Sequence, residues 1–147
     1  MKKDKRDMVM FHKYPHLLYY GMMNKTNSQE PLSWYGIECG FGWYDILNRT
    51  FLKIHKLCRQ ENIHGRVRVV QIKEKFGGLV IYYEFNGVVN HICKEMIAKY
   101  IRDAEVEAYI TCETCGKPGK LIKKGWWKTI CWKCRLKKFI KSINIFK

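Results

Sequence analysis

Two segments of the chain repeat apolar residues at the three- and four-residue intervals of an α-helix with one buried face. The first runs from Asp45 to about Gln60, and its apolar face carries Leu47, Phe51, Ile54 and Cys58. The second runs from His91 to about Ala108, and its stripe consists of Cys93, Ile97, Ile101, Ala104 and Ala108. Asn90 precedes the second segment and can cap its N-terminus. We therefore expect two amphipathic helices.

Between these helices the pattern changes to the alternation that is typical of β-strands. Arg66–Lys75 has apolar residues at both odd and even positions, so that both faces of a strand would carry them. We therefore expect a strand buried on both faces or a bulge near Val69. Gly77 and Gly78 end this strand, and the next one alternates, with one face formed by Leu79, Ile81, Tyr83 and Phe85. A turn at Asn86-Gly87 and a short third strand at Val88-Val89 are expected to follow.

The residues before the first long helix are less periodic. Residues 1–13 are rich in charge and predict a mobile basic arm, whereas Pro15 can open a short helix within 14–20. Residues 21–31 favour turns and predict an exposed loop. We expect a short extended segment over 33–39 and then a glycine-aromatic elbow over 40–45.

Four cysteines near the C-terminus form two C-x2-C pairs with fifteen residues between them, Cys112 with Cys115 and Cys131 with Cys134. Two such pairs supply the four thiolates of a tetrahedral zinc site. Because a four-thiolate shell is closed, we expect one structural Zn²⁺ rather than a catalytic ion. A segment of this size buries too little apolar surface to fold without the metal.

The residues around the cysteines predict the local fold. Leu121–Thr129 resembles a hairpin that turns near Gly125, and a helix is expected from Arg135 onward. Knuckle, hairpin and helix in this order are typical of a treble-clef finger. The last helix is amphipathic, with an apolar face of Leu136, Phe139, Ile140 and Ile143. It either packs on the body or lies on an anionic membrane.

These elements predict an α+β fold, in which a small antiparallel sheet packs with two or three helices and a treble-clef-like zinc finger follows. The expected divisions are a mobile basic arm over 1–13, an α+β body over 14–111, and a zinc finger with its basic amphipathic helix over 112–147. At 147 residues, this is one domain or a domain with an appended finger.

Charge adds a hint about partners. The net charge is +15, and residues 112–147 hold eleven Lys or Arg against one acid, Glu113. Such an excess favours a phosphate-bearing small molecule or nucleic acid, although a solvated lysine face is the plainer alternative. No apolar run is long enough to span a membrane, and the odd number of cysteines outside the zinc pairs favours a reducing compartment, so we expect a cytoplasmic protein.

The strongest candidates for phosphate binding are Lys73, Lys75, Gly77 and Gly78. Two lysines at i and i+2 share a strand face, and glycine N–H groups can approach an anion closely. The alternative is a strand end with a tight glycine turn. Our hypothesis adds four aromatic rings that can line a ligand site or stack on a base, those of Trp43, Tyr44, Phe76 and Trp127. It also adds one further lysine, Lys128.

Catalysis has little support in the sequence. The acids near the motifs are Glu38, Asp45 and Glu74, and no metalloprotease, serine-elbow or deaminase motif is present. We therefore expect a protein that is not an enzyme.

The order of motifs resembles a family of small proteins encoded by phages and prophages. The matching segments are Tyr35–Asp45, Val70–Leu79, Cys112–Gly119, Gly125–Trp126 and Thr129–Cys131. The resemblance implies an accessory phage product without settled catalytic activity, located in the cytoplasm of the bacterial host. Relatives can place a histidine near the last ligand position, where this chain has Cys134.

Three functional hypotheses follow. The first is counter-defence, in which the protein binds and sequesters a phosphate-containing nucleotide signal, such as a cyclic nucleotide or an ADP-ribose derivative. The second is a DNA- or RNA-binding zinc-finger protein, motivated by the basic C-terminal segment. The third is a protein-protein inhibitor of a host factor, such as a defence protein, and self-association into a homo-oligomer stays open.

Overall fold

The computed structural model of the chain describes residues 5–18, 32 and 35–144. Its helices are α1 (Lys5–Lys13), α2 (Pro15–Leu18), α3 (Tyr44–Gln60), α4 (His91–Ala108) and α5 (Trp132–Asn144), with a 3-10 turn at Phe41–Trp43 before α3. Its strands are β1 (Ile37–Glu38), β2 (Val67–Lys75), β3 (Gly78–Phe85), β4 (Lys120–Ile122) and β5 (Lys128–Ile130). The α+β class with a C-terminal cysteine cluster is confirmed.

The central sheet has the order β1-β2-β3. β2 pairs antiparallel with β3, and the expected bulge lies between Val69 and Gln71. β1 pairs parallel with β2, with Ile37 opposite Ile72, so the sheet is mixed rather than antiparallel throughout. The parallel pair follows from the connection, because α3 carries the chain back to the end of the sheet where β1 began.

Both long helices form as their periodicity predicts, and they pack against each other with α4 also contacting β3. The predicted stripe of α4 is buried in full, and Asn90 caps the helix by accepting the Cys93 N–H at 2.8 Å. On α3 the buried side chains include Leu47, Phe51 and Ile54. The body core therefore lies between the two long helices and one face of the sheet.

The N-terminal segment differs from its prediction. The mobile arm is wrong for Lys5–Lys13, which forms α1 with Met10 and Phe11 buried. Tyr14 is also buried, and its hydroxyl donates to the Asn48 side chain on α3 at 2.8 Å. The Tyr14 ring also packs edge to face against the Phe51 ring of α3, with centroids 5.9 Å apart, so Tyr14 ties the segment to α3 despite its charge. The expected loop over 21–31, residues 1–4 and the first two residues of the expected extended segment over 33–39 lie outside the described residues.

Three further expectations are wrong. Val88 and Val89 form no strand, since Val88 is 80% exposed and its carbonyl oxygen accepts from the Arg66 guanidinium. The helix α5 begins at Trp132, before the expected Arg135, so Cys134 lies in its first turn. The expected packing of its apolar face on the body is not found among the described residues, since Leu136, Phe139, Ile140 and Ile143 are all exposed. None of the described helices is long and apolar enough to cross a membrane.

Candidate functional site

The four cysteines converge at the start of the finger. Their sulfur atoms all lie within 4.8 Å of one another, and the Sγ atoms of Cys115 and Cys131 are 3.7 Å apart. Four thiolates at tetrahedral zinc-sulfur distances would have neighbouring sulfurs about 3.8 Å apart. The donor set and its spacing therefore suit a single metal ion, as the sequence predicts.

Local backbone structure brings the thiols together. Gly116 takes a φ of 72° just after the first pair, and its N–H donates to the Cys112 carbonyl at 2.8 Å. Cys131 follows β5, and the Cys134 N–H points at its Sγ at 3.5 Å. That N–H is the main reason why the pKa of Cys131 falls to about 7. Burial raises the pKa of the neighbouring Cys134 thiol, so the two shifts oppose each other, and a metal ion would have to displace the protons of both thiols.

The cysteine knuckle is seated on the elbow that precedes α3. The Gly42 N–H donates to the Glu113 carbonyl at 2.8 Å, and the Gly40 N–H donates to the Glu113 carboxylate at 3.0 Å. The Trp43 indole N–H donates to the Thr111 carbonyl at 2.8 Å. A Cβ at Gly42 would lie 2.0 Å from the Cys112 carbonyl oxygen. The elbow therefore positions the cysteine cluster and does not form an open ligand wall.

The turn between β2 and β3 holds the other side of the finger. Gly77 accepts a hydrogen bond of 2.6 Å from the Thr129 hydroxyl, and a Cβ on Gly77 would lie 2.3 Å from Leu121 Cδ1. The Gly77 N–H donates to the Glu74 carboxylate at 2.7 Å. A Cβ on Gly78 would lie 2.5 Å from the Tyr109 hydroxyl oxygen. Gly77 therefore permits close packing of the finger hairpin and Gly78 permits close packing of Tyr109, which matches the alternative of a tight glycine turn.

A cleft of about 730 Å³ lies where the β2–β3 turn meets the tip of the β4–β5 hairpin. The Phe76 and Trp127 rings meet there edge to face, with centroids 6.1 Å apart. Trp126, 79% exposed, extends the aromatic surface. The full lining is Lys73, Glu74, Lys75, Phe76, Gly125, Trp126 and Trp127. The cleft therefore joins aromatic faces with two cationic side chains.

Some of the predicted ligand-binding residues line this cleft and others lie elsewhere. Of the predicted ligand-binding residues, Lys73, Lys75, Phe76 and Trp127 come together in the cleft, whereas Trp43, Tyr44, Gly77, Gly78 and Lys128 do not line it. Trp43 is fully buried, and the Tyr44 hydroxyl binds the Asp7 carboxylate. The Lys128 Nζ lies 3.4 Å from the Glu113 Oε2, so this lysine pairs with the knuckle.

The cleft also contains residues that the binding hypothesis left out, namely Glu74, Gly125 and Trp126. The predicted turn near Gly125 could have indicated that Gly125 and Trp126 line the cleft, because it places Trp126 beside Trp127 at a hairpin tip.

The remaining acidic and cysteine side chains that we considered do not come together in a second site among the described residues. Among the described residues, no further cluster of three metal-binding side chains occurs beside the four cysteines. Glu38 accepts from Gln71, and Asp45 pairs with Arg49, so neither acid faces Glu74 in a recognisable pair. Cys58 is buried, and burial raises the pKa of its thiol to about 11, which keeps it protonated and unreactive.

Comparison with protein-family models, with curated proteins and with solved structures finds no match to this chain. The resemblance to phage and prophage proteins therefore stays a prediction.

Proposed function

We propose that the protein binds a phosphate-bearing nucleotide in the cleft between the β2–β3 turn and the finger hairpin, without catalysing a reaction on it. The observation that carries this proposal is the meeting of Lys73 and Lys75 with the rings of Phe76, Trp126 and Trp127 around one open volume. Ligand sites of this kind combine apolar walls with a few placed polar groups, and their volumes are about 300 to 1,000 Å³.

Each lining group suits one part of a nucleotide. The exposed Trp126 and Trp127 rings offer faces for stacking a base, which contributes about 1 to 3 kcal/mol per base. Lys73 and Lys75 supply positive charge for the phosphate, and Lys123 lies beside the Trp127 ring at 5.0 Å. The Glu74 carboxylate can accept a hydrogen bond from an exocyclic amino group, since one carboxylate has several acceptor positions.

We further propose that the four cysteines hold one zinc ion with a structural role. Four thiolates fill the coordination shell, so no position is left for water or substrate. The ion ties the knuckle to β5 and α5, and β5 carries the hydroxyl of Thr129 that reaches the β2–β3 turn. Zinc would thereby hold the hairpin wall of the cleft in place.

Sequestration of a signalling nucleotide is the biological role that these features and the phage resemblance together support. A sequestering protein needs tight, saturable binding and no turnover. In an infected bacterial cell it would lower the free concentration of a cyclic nucleotide or an ADP-ribose derivative and so counter a host defence.

The test is calorimetric titration of the zinc-loaded protein with a panel of linear, cyclic and ADP-ribose-type nucleotides. We expect one nucleotide to bind with a one-to-one ratio, and Lys75→Ala to weaken it at least tenfold through loss of a charge-assisted contact. Lys56→Ala is the matched control, since Lys56 is exposed on α3 and does not line the cleft. Binding of no nucleotide, or equal effects of the two substitutions, would refute the proposal.

The basic finger favours a second candidate, the binding of nucleic acid. Residues 112–147 hold eleven Lys or Arg and one acid. Phosphate-backbone binding predicts that log affinity falls with log salt by about 0.7 to 0.9 per phosphate contacted. A shallow salt dependence for a mononucleotide, with no measurable affinity for oligonucleotides at about 0.15 M salt, would favour the cleft over this alternative.

A further inference from the structure

The helix α5 presents an apolar stripe that no described part of the chain covers. Successive residues of a helix are separated by about 100° around its axis. The stripe consists of Trp132, Leu136, Phe139, Ile140 and Ile143, which share a sector about 100° wide. Cys134 lies on nearly the opposite side, so the stripe points away from the metal cluster. All five side chains are exposed, and Phe139 is 63% exposed.

The rest of α5 is cationic. The helix contains five basic residues and no acid, and these residues are Lys133, Arg135, Lys137, Lys138 and Lys141. They flank the stripe on both sides of the helix. An aromatic and aliphatic face bordered by Lys and Arg is the pattern of a helix that lies in the interface of an anionic bilayer.

We propose that α5 docks parallel to the surface of an anionic phospholipid bilayer, with its stripe inserted among the acyl chains and its basic residues among the head groups. A second copy of the chain fits less well, because pairing two stripes would bring two acid-free basic flanks together and like charges repel. A nucleic-acid backbone would use the lysines but would leave the five apolar side chains in water. The proposal does not depend on the nucleotide cleft.

The metal cluster gives this helix a property that a free peptide lacks. A helix of 13 residues is marginal in water when isolated, because its nucleation is unfavourable. Here the first turn is fixed, since the Arg135 N–H donates to the Cys131 carbonyl at 3.0 Å and Cys134 is a candidate metal ligand. The helix is therefore formed before it meets lipid, and bilayer affinity should depend on the metal.

The test is flotation of the full chain, loaded with zinc, on vesicles that contain roughly one-third phosphatidylglycerol or phosphatidylcholine alone. We expect binding to the anionic vesicles only. Lys137→Gln with Lys141→Gln should weaken it about 30-fold, at about 1 kcal/mol for each lysine. Phe139→Ser should weaken it about tenfold or more. Chelation of the zinc should also weaken it.

Matched controls separate these effects from general losses of charge or apolar surface. Lys56→Gln with Lys94→Gln removes two exposed lysines from α3 and α4, and Ile92→Ser removes an exposed apolar side chain from α4. We expect both controls to bind like the unaltered chain. Equal losses in controls and α5 variants would overturn the proposal. Absence of binding to either kind of vesicle would also overturn it. The same holds if the chain instead dimerises or binds oligonucleotides and Phe139→Ser abolishes that interaction.

Discussion

Gly42 shows at the scale of one residue how the body is joined to the finger. Its N–H donates to the knuckle, and its missing side chain leaves room for the Cys112 carbonyl. The Gly42 Cα and the Cys112 carbonyl oxygen both belong to the backbone, so neither can move aside as a flexible side chain would.

The substitution Gly42→Ala should therefore lower the free energy of unfolding by about 2 to 4 kcal/mol. The added Cβ would lie 2.0 Å from the Cys112 oxygen. Urea denaturation measures the loss, with Gly87→Ala as the comparison. Gly87 has open space around it and a φ of 80°, so that change should cost only about 1 kcal/mol. Equal losses at the two positions would contradict the steric argument.

His55 gives a prediction for pH. Burial lowers its pKa, and the neighbouring His64, Arg59 and His16 lower it further. The folded state therefore binds fewer protons than the unfolded chain just below the usual histidine pKa of about 6.5. The free energy of unfolding should fall as the pH drops through that value.

Urea denaturation between about pH 7.5 and pH 5 tests this expectation. We expect His55→Gln to show a smaller fall in the free energy of unfolding than the unaltered chain. His91→Gln, at an exposed position on α4, should leave the fall unchanged. An unaltered pH dependence in His55→Gln would count against the burial of this imidazole as the cause.

Single residues also show where sequence reasoning reaches its limit. Trp43 and Trp127 both lie beside a glycine-rich or basic motif, and both were expected to line a ligand site. The structure buries Trp43 beneath the knuckle and leaves Trp127 39% exposed at the cleft. Which ring is buried depends on a contact with Thr111, 68 residues away from Trp43, and local sequence carries no trace of it.

At the scale of elements, local patterns predict the long helices and the hairpins well. The stripe of α4, the bulge in β2 and the turn near Gly125 all follow from residues close together in the chain. The parallel pairing of β1 does not, because two residues carry too little pattern to choose a partner. In α1, the charged residues mask the apolar pair Met10 and Phe11, which the structure buries in the body core.

The expected effect of removing the proposed zinc ion belongs to this scale. Chelation, or the substitution Cys115→Ser, should unfold β4, β5 and α5, because the segment has little buried apolar surface of its own. α3 and α4 should persist, since their buried faces form the body core. Amide hydrogen exchange measures this directly: protection should disappear after residue 111 and remain in both long helices. Retained protection in α5 would show that the helix does not need the metal.

At the scale of the whole molecule, the cleft exists only while the finger stays docked on the body. The hydroxyl of Thr129 is central to that docking, because Thr129 is fully buried and binds the Gly77 carbonyl. Neither residue lines the cleft. Their contact therefore separates docking from direct ligand contact.

We expect Thr129→Val to cost about 1 to 3 kcal/mol of stability, because a buried carbonyl loses its donor. It should also weaken nucleotide binding, although it leaves every lining residue in place. Thr129→Ser keeps the hydroxyl and is the matched control. Thermal unfolding and calorimetric titration of both variants test the prediction, and unchanged nucleotide affinity in Thr129→Val would show that docking does not shape the cleft.

The paired approach of Gly42 to Cys112 and of Gly77 to Leu121 has a consequence for inheritance. Each glycine accommodates a finger segment that lies far from it along the chain. A lineage that lost the finger would remove the steric reason for glycine at position 42, whereas a φ of 77° would still favour glycine at position 77. We therefore expect Gly42 and the cysteine pairs to be gained, kept and lost together among homologous genes, and Gly77 to be kept where the finger is absent.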